Sequence, residues 1–145
     1  MRIRRALPSD LHAVMKMSDR YRFEQNRNWK EALSSKETDM FLLVEGEKLI
    51  GFTGLVRRDW NETLQIMDIF VDPEYRERGL GMKLVTFLIR KAKKTRYRCL
   101  IAEAPSLSYV VRLYKKAGFR KCGYNDRYYS NNGKEIAFWM SFDLR

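Results

Sequence analysis

The run Ile69-Phe70-Val71-Asp72-Pro73-Glu74-Tyr75-Arg76-Glu77-Arg78-Gly79-Leu80-Gly81 joins an apolar strand to a long helix through a glycine-bearing loop. The strand must stop at Pro73, which has no N–H to give to a ladder. The loop Arg76-x-x-Gly79-x-Gly81 then feeds a helix predicted over Gly79 to Lys94. Physically this is an anion cradle. Glycines let a ligand approach the backbone without a Cβ in the way. The first-turn N–H groups have no intrahelical partner, and the helix dipole favours negative charge there. Arg76 and Arg78 add positive charge beside it. The loop is not a Walker loop, because no GK[ST] follows, and it lacks the G-x-G-x-x-G dinucleotide pattern.

Upstream of this loop, Leu64 to Val71 is apolar on both faces except at Gln65 and Asp68, the pattern of a central strand. Met40 to Val44 and Leu49 to Val56 form a hairpin across Glu45-Gly46-Glu47-Lys48. Arg2 to Ala6 is a short first strand. A helix follows from Pro8-Ser9-Asp10, with Leu11, Val14, Met15 and Met17 as its apolar positions and His12 off that stripe. Trp29 to Leu33 is a second short helix. Downstream lie a strand at Arg98 to Ala104, a helix at Leu107 to Ala117 ending at Gly118, and strands at Arg120 to Tyr124 and Glu135 to Asp143. The predicted order β-α-α-β-β-β-α-β-α-β-β is a mixed, layered α/β (α+β) fold.

The chain has 145 residues, which predicts one domain over 1–145. Cys99 and Cys122 are the only cysteines and His12 the only histidine, so a disulfide framework, a zinc site of usual spacing and a three-histidine centre are excluded, and no metal is expected. Charge interrupts every apolar stretch, and Met1-Arg2-Ile3-Arg4-Arg5 leads into no apolar segment. The expectation is a soluble, cytoplasmic protein without a membrane partner. Lys plus Arg number 29 against 18 Asp plus Glu, a formal charge of +11. Arg76 through Arg98 alone holds nine basic residues and one acid, Glu77. Nucleic acid is the obvious partner for such charge. Cations gathered at a helix C-terminus also complement its dipole, and this ranks a primary nucleic-acid role low.

The glycine loop resembles the motif by which the GNAT superfamily of N-acetyltransferases grips the pyrophosphate of acetyl-CoA. The resemblance covers most of the chain: Ile3 to Ala6 with Asp10-Leu11, the hairpin Val44 to Thr53, and Leu113-Tyr114-Lys115-Lys116-Ala117-Gly118-Phe119 each resemble a family element. It implies a mostly antiparallel sheet of about seven strands with about four helices. It implies acetyl-CoA as acetyl donor, with its pyrophosphate on the backbone of Arg76, Glu77, Arg78, Gly79, Leu80 and Gly81. The backbone of Ile69, Phe70 and Val71 would run beside the pantetheine arm, and Tyr114 beside the thioester sulfur. Leu107 stands where the family often carries Asn, so either Ser106 or Ser108 would supply that contact, or the pantetheine would lose one side-chain contact.

Acetyl transfer to an amine needs a neutral amine and a proton for the leaving thiolate. Deprotonating a lysine of pKa ~10.4 at pH 7 costs about 4–5 kcal/mol, whereas an α-amine at ~7.8 costs about 1. Tyr114 is the candidate acid. Asp68, a lone charge inside its strand, and Glu103, at the end of the next, are the two candidate bases. Gln65 stands where histone-type members carry a catalytic Glu. Tyr21, Phe23, Trp29, Tyr128 and Tyr129 are the candidate acceptor-binding aromatics. Met67 to Val71 resembles the corresponding strand of spermidine/spermine acetyltransferases, with half of their acidic pair, and Asp126-Arg127-Tyr128-Tyr129 resembles ribosomal-protein N-terminal acetyltransferases. The sequence thus reads as an N-acetyltransferase working by direct attack in a ternary complex, monomeric or homodimeric. A protein or peptide N-terminus ranks ahead of a small amine or polyamine as acceptor. A catalytically silent acyl-CoA sensor and a basic nucleic-acid-binding domain are the readings from other classes.

Overall fold

The computed structural model describes residues 1–145. Its elements are β1 (Arg2–Arg5), α1 (Leu11–Tyr21), α2 (Trp29–Ser34), β2 (Thr38–Glu45), β3 (Lys48–Arg58), β4 (Thr63–Val71), α3 (Leu80–Lys93), β5 (Cys99–Pro105), α4 (Val110–Lys116), β6 (Arg120–Asn125) and β7 (Ala137–Asp143). Single 3₁₀ turns precede α1 at Pro8–Asp10 and follow β4 at Pro73–Tyr75. The element order matches the expectation. α3 is one residue shorter than predicted at each end, and α4 starts three residues late, at Val110, because Ser108 Oγ accepts the Val110 N–H (3.2 Å) and Ser106 to Tyr109 form a turn.

All strands join one seven-stranded sheet in the order β1-β2-β3-β4-β5-β7-β6. Every neighbouring pair is antiparallel except β4 and β5. One face packs α3 and α4, with Val85, Leu88, Val111 and Tyr114 against Leu55, Leu64, Ile66 and Leu100. The opposite face packs α1 and α2, with Val14, Met17 and Trp29 against Leu42, Phe52 and Phe70. This double cover is why β4 reads as apolar on both sides.

β4 carries one irregularity that the sequence pattern does not announce. Thr53 of β3 faces Ile69, but Leu55 faces Ile66, so β4 holds an extra residue at Met67–Asp68. A bulge reverses the two-residue alternation and bends its strand. Accordingly Ile66 packs under α3, while Phe70, of the same parity, packs under α1 and α2. β4 stays beside β5 for only three pairs, Thr63↔Cys99 to Gln65↔Ile101, although both strands continue. A wedge therefore opens between the ends of β4 and β5. Asp72 N–H donates to Ile50 O across β3 (2.7 Å), so by strand alternation the N–H groups of Ile69 and Val71 point the other way, into the wedge.

Gly51 pairs with Val71 at this end of the sheet, and a Cβ there would lie 2.3 Å from Phe70 O. Gly51→Ala is expected to lower stability by about 1–3 kcal/mol through this forced strand shift. Urea unfolding reads it out as a lower midpoint; an unchanged midpoint would contradict the close approach.

Candidate functional site

The loop after β4 is built around Asp72. Its buried carboxylate accepts hydrogen bonds from Glu74 N–H (2.9 Å) and from Tyr21 Oη of α1 (2.9 Å), holding the Pro73 turn against the α1 layer. Arg76 Nε donates to Val71 O (2.9 Å). The backbone is left-handed at Glu77 (φ 62°) and Gly79 (φ 75°). From Glu77 to Met82 no backbone N–H donates to a backbone acceptor; the first helical bond here is Lys83 N–H to Gly79 O (3.0 Å). A row of free donors thus lines a groove of about 720 Å³, walled by Val71, Arg76, Glu77 and the start of α3 on one side and by Tyr109, Leu113 and Lys116 on the other.

The two glycines also meet separate demands of the protein itself. A Cβ on Gly79 would meet no protein atom within 4 Å, and its φ of 75° is the left-handed backbone that favours glycine. A Cβ on Gly81 would lie 3.2 Å from Leu113 Cδ2, so Gly81 lets α3 approach α4. Arg78 is also placed differently. Its guanidinium lies over the Tyr75 ring (5.0 Å) and outside the groove wall, while its backbone N–H stays in the row of donors.

The groove runs on, past shared residues Pro73, Arg76 and Tyr109, into a cavity of about 430 Å³ in the wedge between β4 and β5. Asp68, Glu103 and Tyr114 all line this cavity, with Glu24, Tyr21, Phe23, Met67 and Tyr129. Their environments separate their roles. The Asp68 side chain is 6% exposed, and both its oxygens engage the guanidinium of Arg27 from the α1–α2 connection. Burial pushes the Asp68 carboxyl up to about 7, against the opposing pull of Arg27. Arg27 also meets Glu24 (3.5 Å) and lies over the Trp29 ring (4.7 Å). Glu103 forms no salt bridge; its side chain accepts a hydrogen bond from Gln65 Nε2 (3.3 Å), and Arg27 attracts it only at longer range. Burial raises its pKa as well.

Tyr114 is 2% exposed, and its hydroxyl makes no hydrogen bond within the protein yet reaches the cavity. Burial first, and then the charges of Glu103 and Asp68, drive its pKa far up, so it keeps its proton at any working pH. Tyr129 is raised in the same way, first by burial and then by Glu103.

Three expected contacts are corrected. Trp29 is 3% exposed and packs edge-on against Phe52 (5.2 Å), with its indole N–H donated to Ser18 Oγ (3.2 Å); it supports Arg27 from behind and does not line the cavity. Tyr128 stacks outside on Tyr129 (5.1 Å) and Trp139 (5.8 Å), and Tyr129 takes the place in the wall. Ser106 Oγ accepts the Ile136 N–H (3.0 Å) and tethers the approach to β7, whereas Ser108 reaches the cavity. Tyr21 and Phe23 do line it. Sequence reading missed Arg27, Glu24 and Asp72. Only a search for the buried partner that Asp68 demands could have reached Arg27, 41 residues away, and nothing in the spacing selects it among the other arginines. No three His, Cys, Asp or Glu side chains gather where they could hold a metal ion, and no helix is long and apolar enough to cross a membrane.

Comparisons with known proteins bear on what this wedge and donor row serve. A Bacillus subtilis (strain 168) protein named as a candidate ribosomal protein bS18-alanine N-acetyltransferase is 29% identical over 108 residues, covering 71% of this chain and 69% of its own. Human N-acetyltransferase 8 is 27% identical over 99 residues, 65% of this chain; the match spans 44% of the human protein's length. The crystal structure of a candidate GNAT acetyltransferase from Desulfovibrio desulfuricans superposes with a TM-score of 0.84, covering 99% of both chains at 19% identity, which speaks to the fold alone. The family model of the GNAT acetyltransferases matches residues 6–119, a span that includes the bulged strand, the donor row and Tyr114, and the chain belongs to that family.

Proposed function

We propose that the protein is an acetyl-CoA-dependent N-acetyltransferase whose acceptor is a peptide α-amine attacking directly in a ternary complex. The observation that carries this reading is the division among the cavity carboxylates. Arg27 holds Asp68 and Glu24, and Glu103 is left without a salt bridge in the same cavity as the protonated Tyr114.

The residues present fit acetyl-CoA. The free N–H groups from Glu77 to Met82, aided by the dipole of α3, suit a pyrophosphate. The outward N–H groups of Ile69 and Val71 suit an amide-bearing arm laid in the wedge as if it were a strand. Acetyl-CoA supplies an electrophilic thioester when bound. The rest of the chemistry falls to side chains. Glu103, raised by burial but free of an ion pair, accepts the proton of the acceptor ammonium. Tyr114 holds its hydroxyl proton beside the cavity and is placed to give it to a departing thiolate.

A carboxylate base suits an α-amine better than a lysine side chain, since the α-amine needs only about 1 kcal/mol to become neutral at pH 7. The aromatic and methionine walls at Tyr21, Phe23, Met67 and Tyr129 suit the first side chain of a peptide. The name of the Bacillus relative, an enzyme class acting on an N-terminal alanine, supports the same choice. A polyamine is the alternative acceptor, and it is weakened because Arg27 already occupies the carboxylate that a second ammonium would use.

Thiol release from acetyl-CoA, measured against N-terminal peptides, polyamines and amino acids, tests this reading. Peptides with a free α-amine are expected to turn over fastest; fastest turnover with spermidine would transfer the assignment to polyamines. Confirmed CoA binding with no release for any acceptor would mean a sensor. Glu103→Gln should lower kcat/KM by roughly 10²–10⁴-fold. A base must be deprotonated to act, so activity is lost as pH falls through the raised pKa of Glu103, and the variant should lack that acidic limb. If Asp68→Asn removes the limb and Glu103→Gln does not, the base is Asp68. Tyr114→Phe should cut kcat by about 10²-fold with CoA affinity nearly unchanged; undiminished turnover would remove the acid role.

A further inference from the structure

The acetyl-transfer reading leaves most of the +11 charge unused, and the fold does not spread that charge evenly. Apart from Thr86, every exposed side chain of α3 and α4 is a lysine or an arginine. None of them forms a salt bridge. α3 starts beside the groove and runs toward the opposite end of the sheet, whereas the short α4 stays along the groove, with Leu113 and Lys116 in its wall. At that opposite end the chain adds Lys94, Arg98 and Arg145, together with Arg96, which meets Asp59 of the β3–β4 turn (3.5 Å). A helix C-terminus carries roughly half a negative charge, which a single cation answers. The dipoles therefore leave most of this group without a reason.

The same end presents Trp60, 85% exposed, at the tip of the β3–β4 turn. Hydrogen bonds fix this turn beside the cations: Arg98 Nε donates to Asn61 O (2.9 Å) and Arg98 N–H to Glu62 O (2.9 Å). Arg145 Nε donates to Arg96 O (3.3 Å), which brings the last residue onto the same surface. The turn precedes the first residue of β4, whereas the wedge lies at the last residues of that nine-residue strand, about 20–30 Å away at ~3.3 Å per residue.

We infer that this end, with Trp60 amid Lys93, Lys94, Arg98 and Arg145, is a docking surface for single-stranded nucleic acid. Phosphates meet the cations and a base stacks on the indole, the combination by which single strands are held without sequence readout. An anionic membrane would draw the same cations. Binding in a lipid interface takes a broad apolar face, however, and Trp60 is the one large apolar side chain exposed at this end. The surface faces away from the wedge, so a docked strand leaves the acceptor cavity open. Such docking would be additional to acetyl transfer and would not depend on it.

Fluorescence anisotropy of the full chain with labelled 15-nucleotide oligo(U) and oligo(dT), between 50 and 200 mM salt, tests the inference. Binding to one or both is expected, with a log–log salt slope of about −3 for four or five phosphates neutralised at ~0.7 each. Trp60→Ala should weaken binding about 5- to 100-fold. Lys93→Glu with Lys94→Glu should weaken it more than 10-fold and flatten the slope, while Lys30→Glu, a reversal on the α2 face, should change it less than twofold. Thiol release should be unchanged in all of these variants. Absence of salt-dependent binding would overturn the inference, as would equal loss with Lys30→Glu, which would reduce the effect to net charge. So would tighter binding to phosphatidylcholine/phosphatidylserine vesicles, lost in Trp60→Ala while oligonucleotide binding is not.

Discussion

The extra residue that β4 carries at Met67–Asp68 governs two features together: which face each later side chain takes, and how long the strand stays beside β5. Without it, Phe70 would point under α3 and the parallel ladder could continue past Gln65. With it, Phe70 seals the α1–α2 layer and β4 departs from β5. The N–H groups of Ile69 and Val71 are then left facing a wedge. An unpaired strand edge in a sheet interior is costly unless something pairs with it. The fold thus leaves an open strand edge beside the cavity, and the donor row from Glu77 to Met82 continues it at one end.

Arg27 then divides the carboxylates of the wedge into paired and unpaired ones. Three carboxylates line one cavity, and three ionised acids so close would raise one another's pKa. Arg27 satisfies Asp68 and meets Glu24, with its own guanidinium supported on the Trp29 ring. Glu103 stays free, held loosely through Gln65. Removing one partner of a buried pair is more damaging than never having had it. Asp68 and Arg27 thus form a paired wall of the cavity that Glu103 and Tyr114 also line. The aromatic residues obey the same division: Tyr21 steadies Asp72 and thereby the loop, Tyr129 closes the cavity, and Trp29 serves from within the core.

Much of this was legible in the sequence because it rests on local rules. Pro73, the glycine loop and the apolar run of α3 announce a strand-to-helix turn whatever surrounds them. Tyr114 was reached differently, through the resemblance of Leu113 to Phe119 to a family signature. What escaped depends on contacts between distant segments. The bulge leaves no mark in composition, since Met67 and Asp68 are unremarkable until β3 is placed alongside. Arg27 lies in an irregular charged stretch, 41 residues from its partner. Ser106 and Tyr128 were named for their positions near a motif, but backbone geometry at Ile136 and stacking on Trp139 direct them elsewhere. The charge of +11 was visible at once, yet only the topology shows that the cations of α3 run away from the wedge toward the β3–β4 turn.

The claim that binds these observations is that the open edge of β4 and the donor row beyond it form one continuous ligand-binding backbone. Amide hydrogen exchange of the protein with and without saturating CoA addresses it residue by residue. The account predicts that the N–H groups of Ile69, Val71 and Glu77 to Met82 become protected together, while those of β1 and β6 do not change. CoA binding that leaves Ile69 and Val71 exchanging as before would contradict it.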